Sequence, residues 1–154
     1  MVLKNFVVTK APEIPEQLKG KLTMVANHPL TDSDVKVFGY ALQAIALMLQ
    51  LDNIPTESLT TVNVVFTKDG SFSMIEESPT TGGLHICLAI YPLERLNTRC
   101  GERFKLVAFI EELVHHYWRI EDETVVKYKV VQVAQLVDPS ITIEELKGWD
   151  INGL

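Results

Sequence analysis

Residues 30–55, LTDSDVKVFGYALQAIALMLQLDNIP, return an apolar side chain every three or four positions, at Val35, Phe38, Leu42, Ile45 and Leu49. That step matches the turn of a helix and sets the five on one face. Thr31 stands three residues before Asp34. Each side chain can therefore reach the other's backbone N–H and open the helix, while Asn53 and Pro55 close it. The pattern then changes. TTVNVVFTKDGSFSMIEE, residues 60–77, holds two β-rich runs about Lys68-Asp69-Gly70, where the glycine supplies the positive φ of a tight hairpin. After SPTTGG, with the composition of a flexible loop, LHICLAIY (84–91) is apolar at almost every position, which predicts a strand covered on both faces. A short strand is also expected in LKNFVVT (3–9), and an irregular path through the stretch punctuated by Pro12, Pro15 and Gly20.

From residue 102 the helical period returns. Phe104, Val107, Ala108, Glu111, Val114, His115 and Trp118 fall on one side of the wheel, and Leu106, Phe109, Ile110, Leu113, Tyr117 and Ile120 on the other. Only a strip of Lys105, Glu112, His116 and Arg119 is polar. A helix so apolar nearly all round belongs in the middle of a domain. Residues 124–137 fit either period: VKYKV alternates like a strand, yet Val126, Val130, Val133 and Val137 keep helical spacing. We favour two helices with a bend near Glu121 to Thr124 over one unusually long helix. A short capped helix follows in SITIEELKGW (140–149). The expectation is thus one α+β domain over 1–154: a small, mainly antiparallel sheet packed on helices, with a central buried helix at about 102–120.

Composition narrows the function classes. A chain of 154 residues with 47% hydrophobic and 22% charged residues has the make-up of a globular protein. Its net charge of −6 gives no footprint for nucleic acid, which needs clustered Lys and Arg. The N-terminus lacks the apolar core of a secretory signal, and YALQAIALMLQL, with Gln43 and Gln50, reads as too short and polar to span a bilayer. A cytoplasmic protein without a membrane partner is expected. Cys87 and Cys100 form no C-x-x-C and read as free thiols.

The chemistry concentrates in FIEELVHHYW, residues 109–118. Glu111 and His115 are one turn apart on a mostly apolar side, and a buried carboxylate is costly unless paired or bound to a metal. A protonated His115, a cation from elsewhere in the fold, or a metal shared by both would each answer that need. EELVH, Glu111 to His115, resembles the H-E-x-x-H helix of the zincin metallopeptidases, with Glu where the first His belongs. The strand-then-helix order of LHICLAIY and the 102–120 segment is similar to the zincin order, in which a small sheet lies over the active helix to hold extended substrate.

The resemblance implies that Glu111 and His115 are metal ligands and that Glu112 is the general base. It also implies a third ligand downstream, for which RIEDE offers Glu121, Asp122 and Glu123. In zincins whose last ligand is Glu, that residue lies on the next helix, which selects Glu123. The metal would be zinc or another divalent cation such as manganese or iron, since carboxylate in place of imidazole shifts affinity toward harder ions. That exchange also raises the pKa of bound water, so weak or absent proteolysis is expected. The alternatives are that no metal binds, and that the chain is a non-catalytic interaction or regulatory domain with Glu111 and His115 as a structural pair. Its partner is then an unidentified protein or peptide. Glu112-x-x-His115 also matches the E-x-x-H of di-iron bundles, but no second such motif occurs. His85 and Cys87 share a strand face and read as core. His28 sits in a turn, and TTGG lacks the strand, Lys and helix of a phosphate loop.

Overall fold

A computed structural model describes residues 2–75, 87–99 and 101–149. His85, Cys100, the TTGG loop and residues 84–86 of LHICLAIY lie outside the described residues. The strands are β1 (Val2–Leu3), β2 (Leu22–Ala26), β3 (Val62–Thr67), β4 (Met74–Ile75) and β5 (Leu88–Pro92). The helices are α1 (Asp32–Leu51), α2 (Leu93–Arg99), α3 (Glu102–Tyr117), α4 (Glu123–Ala134) and α5 (Ile143–Lys147).

The sheet corrects the expected antiparallel arrangement. β2, β3 and β5 pair in the order β2-β3-β5, and both pairings are parallel. The crossover explains the first: α1 carries the chain back along the sheet, so β3 enters in the same direction as β2. Gly70 does take the expected positive φ, at 96°, and its N–H donates to Thr67 Oγ1 at 2.7 Å. Among the described residues the two runs it separates do not pair with each other; Met74 and Ile75 pair antiparallel with Leu3 and Val2 instead. Of LKNFVVT only Leu3 is strand, and β2 arises in a segment where no strand is expected. On β5, Ala89 and Tyr91 are buried while Leu88 and Ile90 are each 36% exposed, so the described part of this strand is covered on one face rather than two.

α1 forms as its cap predicts. Thr31 Oγ1 accepts from the Asp34 N–H and Asp34 Oδ2 from the Thr31 N–H. The helix ends where Asn53 takes φ 54° and the Ile54 N–H reaches back to the Leu49 carbonyl at 2.9 Å. Its 20 residues exceed the apolar window read from the sequence, and by length and composition it could cross a membrane. In this fold 56% of that span is buried inside the protein, as in a core helix. The core it enters is aromatic. Phe38, Phe66, Tyr91 and Phe109 meet edge to face or stacked at 4.9 to 6.4 Å. Each such pair contributes about 0.5–1.5 kcal/mol beyond its burial. The Tyr91 hydroxyl donates to the Phe109 carbonyl at 2.8 Å, which fixes β5 against α3.

α3 departs from its wheel at one position. Lys105, expected on the polar strip, is only 2% exposed. Its ammonium enters a polar knot with Asp34, Ser33 and Asn97 that joins α1, α2 and α3.

Candidate metal centre

The site begins with the end of α3, which stops at Tyr117 rather than near residue 120. Trp118 caps the helix and Arg119 takes φ 56°, the left-handed conformation that ends many helices. The Ile120 N–H then bonds the His115 carbonyl at 3.1 Å. Arg119 thus makes the turn that separates α3 from α4. Asp122 restarts the chain as a helix, its carboxylate accepting from the Thr124 and Val125 N–H groups at 2.9 and 2.8 Å. The two-helix alternative for this region is therefore the one found, and residues 123–134 are helix, not strand.

The same turn orients His115. Its Nδ1 lies 2.5 Å from the Ile120 carbonyl, an acceptor, so the ring proton belongs on Nδ1. Nε2 then faces Glu123, whose Oε2 lies 3.6 Å from it. A histidine held through one ring nitrogen by a backbone carbonyl has the posture of a metal ligand.

Glu111, one turn earlier, is 2% exposed, and neither carboxylate oxygen has a hydrogen-bond partner. Burial pushes its carboxyl up to about 7, with His115 pulling the other way and Glu112 and Glu123 adding to the rise. The structural pair with His115 is not made as a hydrogen bond.

Glu111, His115 and Glu123 each place a ligand atom within 4.8 Å of the others, the one such group among the described residues. The donor set fits a divalent cation: one imidazole lone pair and two carboxylates, one of them with unused buried oxygens. Around a tetrahedral ion, ligand atoms lie about 3.3 Å apart, so binding would draw the three inward. The three expected ligands are thus brought together. The other acids of RIEDE are used differently, Asp122 as the α4 cap and Glu121 on a pocket wall.

Glu112 stands outside the trio. It opens with His115, His116 and Glu121 onto a pocket of about 220 Å³ whose far wall is Val62 and Ala89 of the sheet. Although solvent reaches it, protein crowds its other sides, and this desolvation raises its carboxyl, His115 opposing and Glu123 adding to the rise. His116 was not singled out from the sequence. Burial lowers its pKa, and its Nε2 is enclosed without a partner. Cys87 is a partly buried free thiol outside the ligand group.

Comparison with protein-family models, with curated proteins and with solved structures returns no match.

Proposed function

We propose that Glu111, His115 and Glu123 hold a divalent metal cation, and that the protein is a divergent metallopeptidase-like protein of weak or no proteolytic activity. The observation that carries this reading is the Glu111 carboxylate, buried with both oxygens unpartnered. Such a group costs several kcal/mol unless a cation answers it. The Nδ1 anchor of His115 supports the same reading, because it turns Nε2 toward Glu123, the pair between which an ion would lie. A bound cation would supply Lewis acidity to a water or a substrate carbonyl. Zinc, manganese and iron all suit one imidazole with two carboxylates. Glu112 would be the group that takes a proton in the pocket it shares with His115, and desolvation raises its carboxyl there. Two carboxylates on one divalent ion leave little net positive charge, so slow chemistry is expected.

A non-catalytic interaction domain is the second reading. A Glu111 carboxyl raised to about 7 supports it, since that group can sit protonated at neutral pH without any cation.

Elemental analysis of protein purified without an affinity tag separates the two. The first reading expects near-stoichiometric transition metal, lost in Glu111→Gln and His115→Ala and retained in Glu112→Gln. Metal-free protein whose melting temperature is unmoved by zinc, manganese or iron overturns it.

A further inference from the structure

β2 forms one edge of the parallel sheet, and its hydrogen bonds show which main-chain groups are spare. The Val62 N–H donates to the Lys21 carbonyl and the Asn27 N–H to the Phe66 carbonyl, both at 3.0 Å. With Leu22 in register with Val62, these bonds turn Lys21, Thr23, Val25 and Asn27 toward β3. Leu22, Met24 and Ala26 therefore present their N–H and C=O groups to the open side. Among the described residues only the Ala26 carbonyl is used there, accepting from the Val7 N–H at 2.9 Å. β2 carries no charge, proline or bulge, the devices that ordinarily blunt an edge. Against this edge lies a cavity of about 500 Å³, walled by Phe6 and Val8 on one side and by Met24, Val25 and Leu30 on the other. Phe6 and Val8 are 63% and 96% exposed.

We propose that this edge is a docking site for an acidic, extended peptide segment, which adds to the sheet as a strand beside Leu22 and Met24. Three observations choose that occupant. First, the spare N–H and C=O groups recur at every second residue, about 7 Å apart, and another extended main chain matches that repeat. A helix satisfies its own main chain, and a lipid has no donors at that spacing. Second, the cavity can take an apolar side chain from such a strand, whose alternate residues point to one face. Third, residues 1–26 hold four lysines and two glutamates in a chain of net charge −6. Of these, Lys4 and Lys21 have no acidic partner among the described residues, and Lys21 Nζ donates to the Leu59 carbonyl at 2.9 Å. Acids on the incoming strand complement them. The β2 of a second copy does not fit: centred antiparallel on Met24, it sets its Leu22 opposite Ala26, where Val7 already holds the lane. The edge shares no lining residue with the pocket beside the candidate metal centre, so the inference does not rest on that site.

Selection of random displayed peptides, about six residues long, against the full chain tests the proposal. The recovered sequences are expected to alternate apolar with polar residues, to carry Asp or Glu, and to bind with a Kd of the order of 10 µM. In one such peptide, N-methylation of the alternate residues that face β2 should weaken binding at least about tenfold, and N-methylation of the intervening ones should not. Met24→Pro removes the outward N–H but none of the bonds from β2 to β3, and should weaken binding by a similar factor, while Met24→Leu binds as wild type does. Far-UV circular dichroism checks that Met24→Pro folds; if it does not, the N-methylated peptides still test the edge on the unaltered chain. Recovery of no binder overturns the proposal, as do basic binders or binding indifferent to N-methylation in either register. A dimer in sedimentation equilibrium that Met24→Pro abolishes also overturns it, by giving the edge to a second copy.

Discussion

Helix α3 buries two ionisable side chains under two turns apart, Lys105 and Glu111, each 2% exposed, and treats them in opposite ways. The Lys105 ammonium has three hydrogens and three acceptors: Asp34 Oδ1 at 2.9 Å, Ser33 Oγ at 2.8 Å and Asn97 Oδ1 at 2.8 Å. The second oxygen of Asp34 accepts from the Thr31 N–H and from the Asn97 amide. Glu111 has none of this. A closed network is complete as the chain folds and leaves nothing for a ligand to do. An open one stores a penalty that a ligand of the right charge can relieve, and this difference separates a structural ion pair from a candidate binding group.

The largest effect should come from breaking the closed network. Lys105→Met strands Asp34, itself fully buried, as an unpaired charge, and should cost about 3–5 kcal/mol in urea unfolding. Replacing both partners, Lys105→Met with Asp34→Leu, should recover much of that, less the loss of the α1 cap. At the open site the sign reverses. Glu111→Leu removes a carboxylate that has no partner, and in metal-free protein should leave stability unchanged or raise it by about 1–3 kcal/mol. A loss at Glu111→Leu as large as that at Lys105→Met would erase the distinction and point to a hidden partner.

The pH dependence sharpens the comparison. The folded Glu111 carboxyl is raised to about 7 from 4.5, so the folded state keeps a proton that the unfolded state releases. Its share of stability is complete below pH 4.5 and is lost as pH rises through 7. The loss is roughly 2–4 kcal/mol, of the order that a shift of this size implies. Comparing wild type with Glu111→Gln in urea at acid and alkaline pH isolates this share from Glu112, whose carboxyl is also raised. The difference between the two proteins should widen against wild type on the alkaline side. If zinc or manganese binds, adding it there should close the gap for wild type alone. A difference independent of pH contradicts the assignment.

Why the two sites differed in legibility follows from the range of their interactions. The α1 cap, the Asn53 stop and the bend before α4 are made within a few residues, and the sequence carries them directly. Glu111 and His115 stand out because a helical wheel is also local. Glu123 joins them because the bend folds α4 back on α3, whereas Lys105 was misplaced because its acceptors lie far away in α1 and α2. Strand pairing is the extreme case. β2 occupies LTMVA after a stretch rich in Pro and Gly, and its pairing with β3 spans the whole of α1. A Gly at a hairpin-like turn describes only that turn; Gly70 takes the predicted φ while the strands beside it find partners elsewhere.

The smallest effect should come from Asp122, which holds no place in the ligand group yet sets the position of one member. Its carboxylate caps α4 through the Thr124 and Val125 N–H groups, and Glu123 lies in the first turn it fixes. Asp122→Ala should cost about 1 kcal/mol of stability as those N–H groups lose their acceptor, and Asp122→Asn or Asp122→Ser should restore most of it. Lys105 acts on folding alone, but Asp122 should act on both folding and binding. A frayed first turn lets Glu123 swing from His115, so any metal affinity measured by titration calorimetry should fall about tenfold in Asp122→Ala, by analogy with the loss of other outer-shell partners of ligands. Asp122→Ser should restore the cap and the affinity together. If affinity stays unchanged while stability falls, Glu123 is no ligand, and the cation is held by Glu111 and His115 with a different third group.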